Sequence, residues 1–311
     1  MTIFLATFKA VLIFFAVGLI GFTVVARRRV PEDIHRTLTP LVLDIGLPSL
    51  VFFNIMTRFE PSAIPNWWQI PLIWMAFTTG TVLFTLLVRM LVNKTNKPEF
   101  SLSLLYPNSI FLPLTILPSI YGVDTITITY LFIFTLLFPA FAFNTYWLFF
   151  KKTPQNKFDL SKAINPILIA TVLAIILKKT GTSDYVPGFI IELSRFLGMI
   201  TLPLVMIMVG GSIYMYAKKS KFVAWRSLVY FVLTKNIILP VIVIFVLSFF
   251  ELPEHLALIM VMISAAPPIS AAPIFVEKAG GNTALANQYL LASFVACLVT
   301  MPVVLWIFSQ L

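Results

Sequence analysis

The chain has 311 residues, of which 59% are hydrophobic and only 11% charged, and a formal net charge of +10. So little polar surface cannot coat a water-soluble globule, and the mean hydropathy of +0.98 makes lipid the main solvent. Nucleic acid is excluded as a partner because no basic domain lies outside the apolar stretches; Cys297 is the single cysteine, and His35 and His255 join no metal-ligand cluster, so neither a disulfide nor a metal or other cofactor is expected.

In chain order the charge-poor stretches are 10–26, 38–57, 61–88, 100–123, 125–150, 163–177, 196–217, 227–250, 256–276 and 279–311. A bilayer core takes roughly 20 apolar residues per helix, so these predict an all-α membrane protein of ten transmembrane helices, here spans 1 to 10. Span 1 is followed by Arg27, Arg28 and Arg29 without a small-residue cleavage site, and reads as a retained helix rather than a signal peptide. Span 6 needs its flanking residues to cross. Sixteen of the 22 Lys and Arg residues fall in the connections after spans 1, 3, 5, 7 and 9. The positive-inside rule therefore places both termini on the non-cytoplasmic side of a multi-pass protein, expected in the cell (plasma) membrane.

Only spans 2 and 8 contain a charge, Asp44 and Lys235. An ionisable side chain at bilayer depth costs roughly 2.5–3.5 kcal/mol on insertion scales, so each is a functional candidate. Asp44 is the candidate for proton coupling or for pairing with Lys235; lying one helical turn before Pro48, it could equally serve the kinked helix structurally. Lys235 either attracts a substrate anion or is satisfied by half-helix carbonyls. Glu192 and Arg195, three apart, predict a local ion pair.

The charged connection 151–160 divides the chain into residues 1–150 and 161–311, five spans each. An odd number per half gives the halves opposite orientations. Their punctuation matches: Ile45-Gly-Leu-Pro48 with Ile200-Thr-Leu-Pro203, Pro107-Asn-Ser-Ile-Phe-Leu-Pro113 with Pro267-Pro-Ile-Ser-Ala-Ala-Pro273, and Gly122-Val-Asp124-Thr125 with Gly280-Gly-Asn282-Thr283, at offsets of 155, 160 and 158 residues. Matched interruptions in two inverted halves are the best sequence pointer to a transporter binding site.

Two prolines six apart leave a stretch that cannot keep helical bonding, so 107–113 and 267–273 are expected to be non-helical. Freed backbone groups are tolerated only inside protein or beside water, which places both breaks in the interior. Half-helices restarting after Pro113 and Pro273 would direct N–H groups and positive dipole ends at the breaks, and so favour an anion. Asn108, Ser109 and Ser270 can donate to a carboxylate or merely cap the half-helices. The expected substrate-binding set is Pro107, Asn108, Ser109, Pro113, Pro267, Pro268, Ser270 and Lys235. An intramembrane enzyme would need a Ser/His, paired-Asp or metal constellation at membrane depth, and the sequence offers none; a channel or a transport-like sensor is the other competing class.

Leu47-Pro48, Pro107-Asn108-Ser109 with Pro113, Asn165-Pro166, Lys235 five residues before Pro240, and the Pro267-to-Pro273 break leading to Gly280 together resemble the auxin efflux carriers, whose bacterial members include malate and malonate permeases. The resemblance spans nearly the whole chain. It implies a fold similar to bile-acid symporters and NhaA-type transporters, with spans 4 and 9 crossing at their breaks. Spans 1, 2, 6 and 7 would form a scaffold, suited to a homodimer, and spans 3–5 and 8–10 a moving transport domain. It further implies a carboxylate substrate such as malate, malonate or an auxin-like acid, with Asn108 as the crossover asparagine. The chain departs from the plant pattern in lacking a long central loop and in having Ile110 after Asn108 and Ser109. Span 9 has no acidic residue over 256–276, which disfavours the span-9 sodium site of bile-acid symporters.

Overall fold

The computed structural model describes residues 2–29, 38–62, 64, 66–122, 125–150, 164–219 and 225–311. The 151–160 connection, His35 and Asp124 of the third repeat match lie outside the described residues.

Among these residues the protein is helical, without a β-strand. Its helices are α1 (Thr2–Ala26), α2 (Leu47–Arg58), α3 (Ile70–Val88), α4 (Lys97–Leu105), α5 (Phe111–Tyr121), α6 (Thr127–Phe134), α7 (Phe138–Thr145), α8 (Pro166–Lys179), α9 (Gly188–Met199), α10 (Thr201–Lys219), α11 (Trp225–Leu233), α12 (Leu239–Leu247), α13 (Glu254–Ala265), α14 (Ala272–Lys278) and α15 (Thr283–Phe308). Seven helical runs are long and apolar enough to cross a membrane: Ile3–Ala26, Leu38–Arg58, Trp67–Leu91, Thr127–Phe149, Gly188–Met215, Trp225–Leu247 and Thr283–Phe308. Spans 4 and 9 fall short of that length because each is split, into α4 and α5 and into α13 and α14. Span 6 is the 14-residue α8, about 21 Å long at 1.5 Å per residue.

Prolines dictate where the helices change pitch. Pro48 offers no N–H to the carbonyl four residues earlier, that of Asp44, and Pro240 none to that of Asn236. The chain ahead of each widens into a π-helical turn, Leu41–Gly46 before α2 and Thr234–Ile238 before α12. There Leu47 N–H reaches back to Val42 O, and Leu239 N–H to Thr234 O. Both membrane-depth charges, Asp44 and Lys235, therefore sit in π turns, an arrangement frequent at functional sites.

Helix α1 packs along α10, and also touches α15 and α5; α2 packs on α8 and α9, and α13 on α12 and α15. The α1–α10 approach depends on glycine. A Cβ on Gly210 would lie 1.7 Å from Gly18 O, and one on Gly21 would lie 2.1 Å from Ile207 O. Gly122 and Gly280, at the ends of α5 and just past α14, have φ of 85° and 71°, a left-handed conformation that favours glycine.

Candidate functional site

Helix α4 stops at Leu105 and α13 at Ala265, and the chain leaves the helical conformation at Tyr106 and Ala266, the latter extended. Pro107, Pro267 and Pro268 carry no N–H, so few donors remain to join these two segments. Asn108 N–H donates to Pro267 O and Ile269 N–H to Tyr106 O, each at 2.8 Å. They make a one-rung antiparallel bridge at Pro107 and Pro268 that holds the two breaks together.

The breaks are shorter than the proline spacing suggests. They occupy 106–110 and 266–271, because α5 begins at Phe111 and α14 at Ala272. Pro113 and Pro273 are inside the first helical turns, where an N–H has no intrahelical acceptor and a proline loses nothing. The expectation that 107–113 and 267–273 are non-helical throughout is corrected accordingly. Pro113 is buried and does not line the cavity described next.

A cavity of about 480 Å³ opens on one side of the bridge. Small-molecule sites span roughly 300–1,000 Å³. Asn108, Ser109 and Ser270 line it from the breaks, Asp44 and Asn165 from the facing elements, and Lys278 from the end of α14. Among the described residues Asp44 and Lys278 are its charged lining groups; phenylalanines and aliphatics supply most of the remainder.

Asn108 is 2% exposed. Its Oδ1 accepts from the N–H groups of Phe111 and Leu112, at 3.2 and 3.4 Å, and so caps α5. Those two donors fix the amide's orientation. Its Nδ2 then has no hydrogen-bond partner among the described residues. The cap, one of the two alternatives in the sequence, thus uses only the Oδ1 end of the side chain. Ser109 Oγ donates to Pro107 O at 3.2 Å.

Lys235 is placed elsewhere. It is 0% exposed and lines a second, smaller cavity, together with Pro107 and Ser109. Its Nζ donates to Ser264 O at 3.0 Å, and neighbouring Asn236 Nδ2 donates to Ala265 O and Ser293 O. Both side chains thereby satisfy carbonyls at the C-terminal end of α13, where the helix dipole favours a cation. Ser109 and Phe138 line both cavities. Asp44 and Lys235 consequently face different spaces and do not pair.

Asn165, noted in the sequence as part of the Asn165-Pro166 pair, is joined by two residues that the sequence did not single out, Glu99 and Lys278. Asn165 accepts from Leu168 N–H at 2.9 Å and caps α8 while lining the large cavity. Glu99, 3% exposed, accepts from Asn282 N–H at 2.7 Å through Oε1 and ties α4 to the start of α15. Lys278 looks like a loop charge in the sequence. His255 meets Thr127 Oγ1 at 2.9 Å, and no metal-binding group of His, Cys and carboxylates occurs among the described residues. Arg195 and Glu192 form the expected pair at 3.3 Å, on an exposed helix face.

A family described as "Membrane transport protein" matches residues 6–305. No curated protein matches the chain.

Proposed function

The chain belongs to the membrane transport protein family, that of the auxin efflux carriers, and from this premise we propose that it is a secondary carrier of a small organic anion. In this reading ten spans form two inverted five-span repeats, residues 1–150 and 161–311. Spans 1, 2, 6 and 7 are the scaffold through which two copies associate, and spans 3–5 and 8–10 move against it in an elevator-type alternating-access cycle. Both termini lie outside the cytoplasm, in the plasma membrane.

The observation that carries the proposal is the unpartnered, buried Nδ2 of Asn108, a residue that lines a cavity of ligand size at the N-terminus of α5. A buried amide donor without an acceptor costs about 1–3 kcal/mol, a cost removed when a carboxylate oxygen takes the bond. Hydrogen bonds to an ionised acceptor are roughly twice as strong as neutral ones, and the positive end of α5 adds to the attraction. Ser109 and Ser270 offer hydroxyls alongside. The carboxylate is of the malate, malonate or auxin-like kind. Asp44, on the facing wall, is the candidate proton carrier that couples movement to a pH gradient.

Counterflow tests the class of activity. The ligand is first chosen by thermal shift from dicarboxylates, indole carboxylates and bile acids. Proteoliposomes loaded with that acid should then accumulate its labelled form transiently above equilibrium, because a carrier exchanges substrate without net flux. Labelled acid that equilibrates without overshoot indicates a channel, and no uptake indicates a sensor.

A further inference from the structure

We propose that the smaller cavity binds a single-atom inorganic anion, chloride being the abundant case, as the counter-ion of Lys235. The inference goes beyond the carrier reading and does not depend on which organic acid is carried. It begins from charge balance. Lys235 is 0% exposed, and its ammonium has three donors but one hydrogen bond, to Ser264 O at 3.0 Å. No carboxylate pairs with it among the described residues. The carbonyl end of α13 supplies only a partial negative charge. A buried cation so held is costly unless a full negative charge accompanies it.

The cavity supplies the place and the remaining ligands. It measures about 20 Å³, where a water-sized group needs roughly 10–15 Å³ by the same measure. One ion fits, but an organic acid with its carbon body does not. Thr78 and Ser109 line the cavity; Thr78 makes no hydrogen bond through its side chain among the described residues, and the Ser109 hydroxyl holds Pro107 O only at 3.2 Å and can rotate to another acceptor. Thr81 instead donates to Phe77 O at 2.9 Å, so the donors left for an anion are those of Lys235, Thr78 and Ser109. Trp74, Phe77 and Phe141 line its apolar side.

The experiment uses the intact protein in detergent with no organic substrate. Its melting temperature is followed from sodium methanesulfonate, which has no carboxylate, to sodium chloride at fixed ionic strength, and crystals grown in bromide are searched for anomalous scattering. We expect a saturable rise with chloride, absent in Lys235→Gln, and a bromide peak within hydrogen-bond distance of Lys235 Nζ. If Lys235→Gln fails to fold, the bromide peak in the unsubstituted protein decides alone. Equal melting temperatures in the two salts with no bromide peak overturn the proposal, as does an organic carboxylate in the small cavity. Neither result bears on Asn108, so failure here leaves the substrate site standing.

Discussion

Asn108 and Pro267 come from opposite halves of the chain, yet the N–H of Asn108 donates to Pro267 O at 2.8 Å. That bond positions everything else in the site. It fixes the backbone from which the Asn108 side chain caps α5, and so decides where Nδ2 points.

Asp44 sits in a π turn on the wall opposite the breaks and faces the large cavity rather than Lys235. If it carries the coupling proton, Asp44→Asn abolishes uptake driven by a pH gradient and spares exchange of labelled for unlabelled acid. Both are read in the same proteoliposomes. Unchanged pH-driven uptake removes Asp44 from the mechanism.

Glu99 accepts the Asn282 N–H at the start of α15. Replacing it by alanine leaves that donor without an acceptor and should cost about 1–3 kcal/mol, whereas Glu99→Gln keeps an oxygen there. Hydrogen exchange over residues 281–285 should accelerate in the alanine variant and stay near the original rate in the glutamine variant. Equal protection in all three proteins contradicts the role given to Glu99.

The α1–α10 contact predicts a contrast between two glycines. A Cβ on Gly210 would lie 1.7 Å from backbone, whereas one on Gly80 meets nothing within 4 Å. Gly210→Val should therefore destabilise by about 1–3 kcal/mol or more through overpacking. Gly80→Ala, in the interior of α3, should be neutral or stabilising by about 0.5–1 kcal/mol. Melting temperatures in detergent compare them, and equal values contradict the close approach.

The breaks were legible in the sequence because proline acts on its own backbone: Pro107, Pro267 and Pro268 remove donors wherever the rest of the chain lies. Their ends were less legible. A proline in a first helical turn leaves no mark different from one in a break, so Pro113 and Pro273 extended the predicted breaks too far. Helix rotation was not legible at all, and it is rotation that puts Lys235 and Asn108 on different cavities although both belong to interrupted spans. Glu99 was missed for a related reason. It stands one residue before span 4, where it looks like a solvated loop charge, and its burial is created by α15 from the other half of the chain. Lys278 follows the same pattern, its place on the cavity being set by the short α14 that the second break produces.

The most direct test of the central claim separates the two ends of the Asn108 side chain. Asn108→Ala removes both cap and donor; Asn108→Asp keeps an oxygen to cap α5 and puts negative charge where the donor was. Affinity for the acid chosen by thermal shift is measured by calorimetry for both variants, with the melting temperature of each as a check on the cap. Alanine should weaken binding roughly 5- to 150-fold, the equivalent of about 1–3 kcal/mol. Aspartate should weaken it at least as much while holding its melting temperature near that of the unsubstituted protein. Unchanged affinity in the alanine variant, with bound acid located away from the 106–110 and 266–271 breaks, would contradict the central claim.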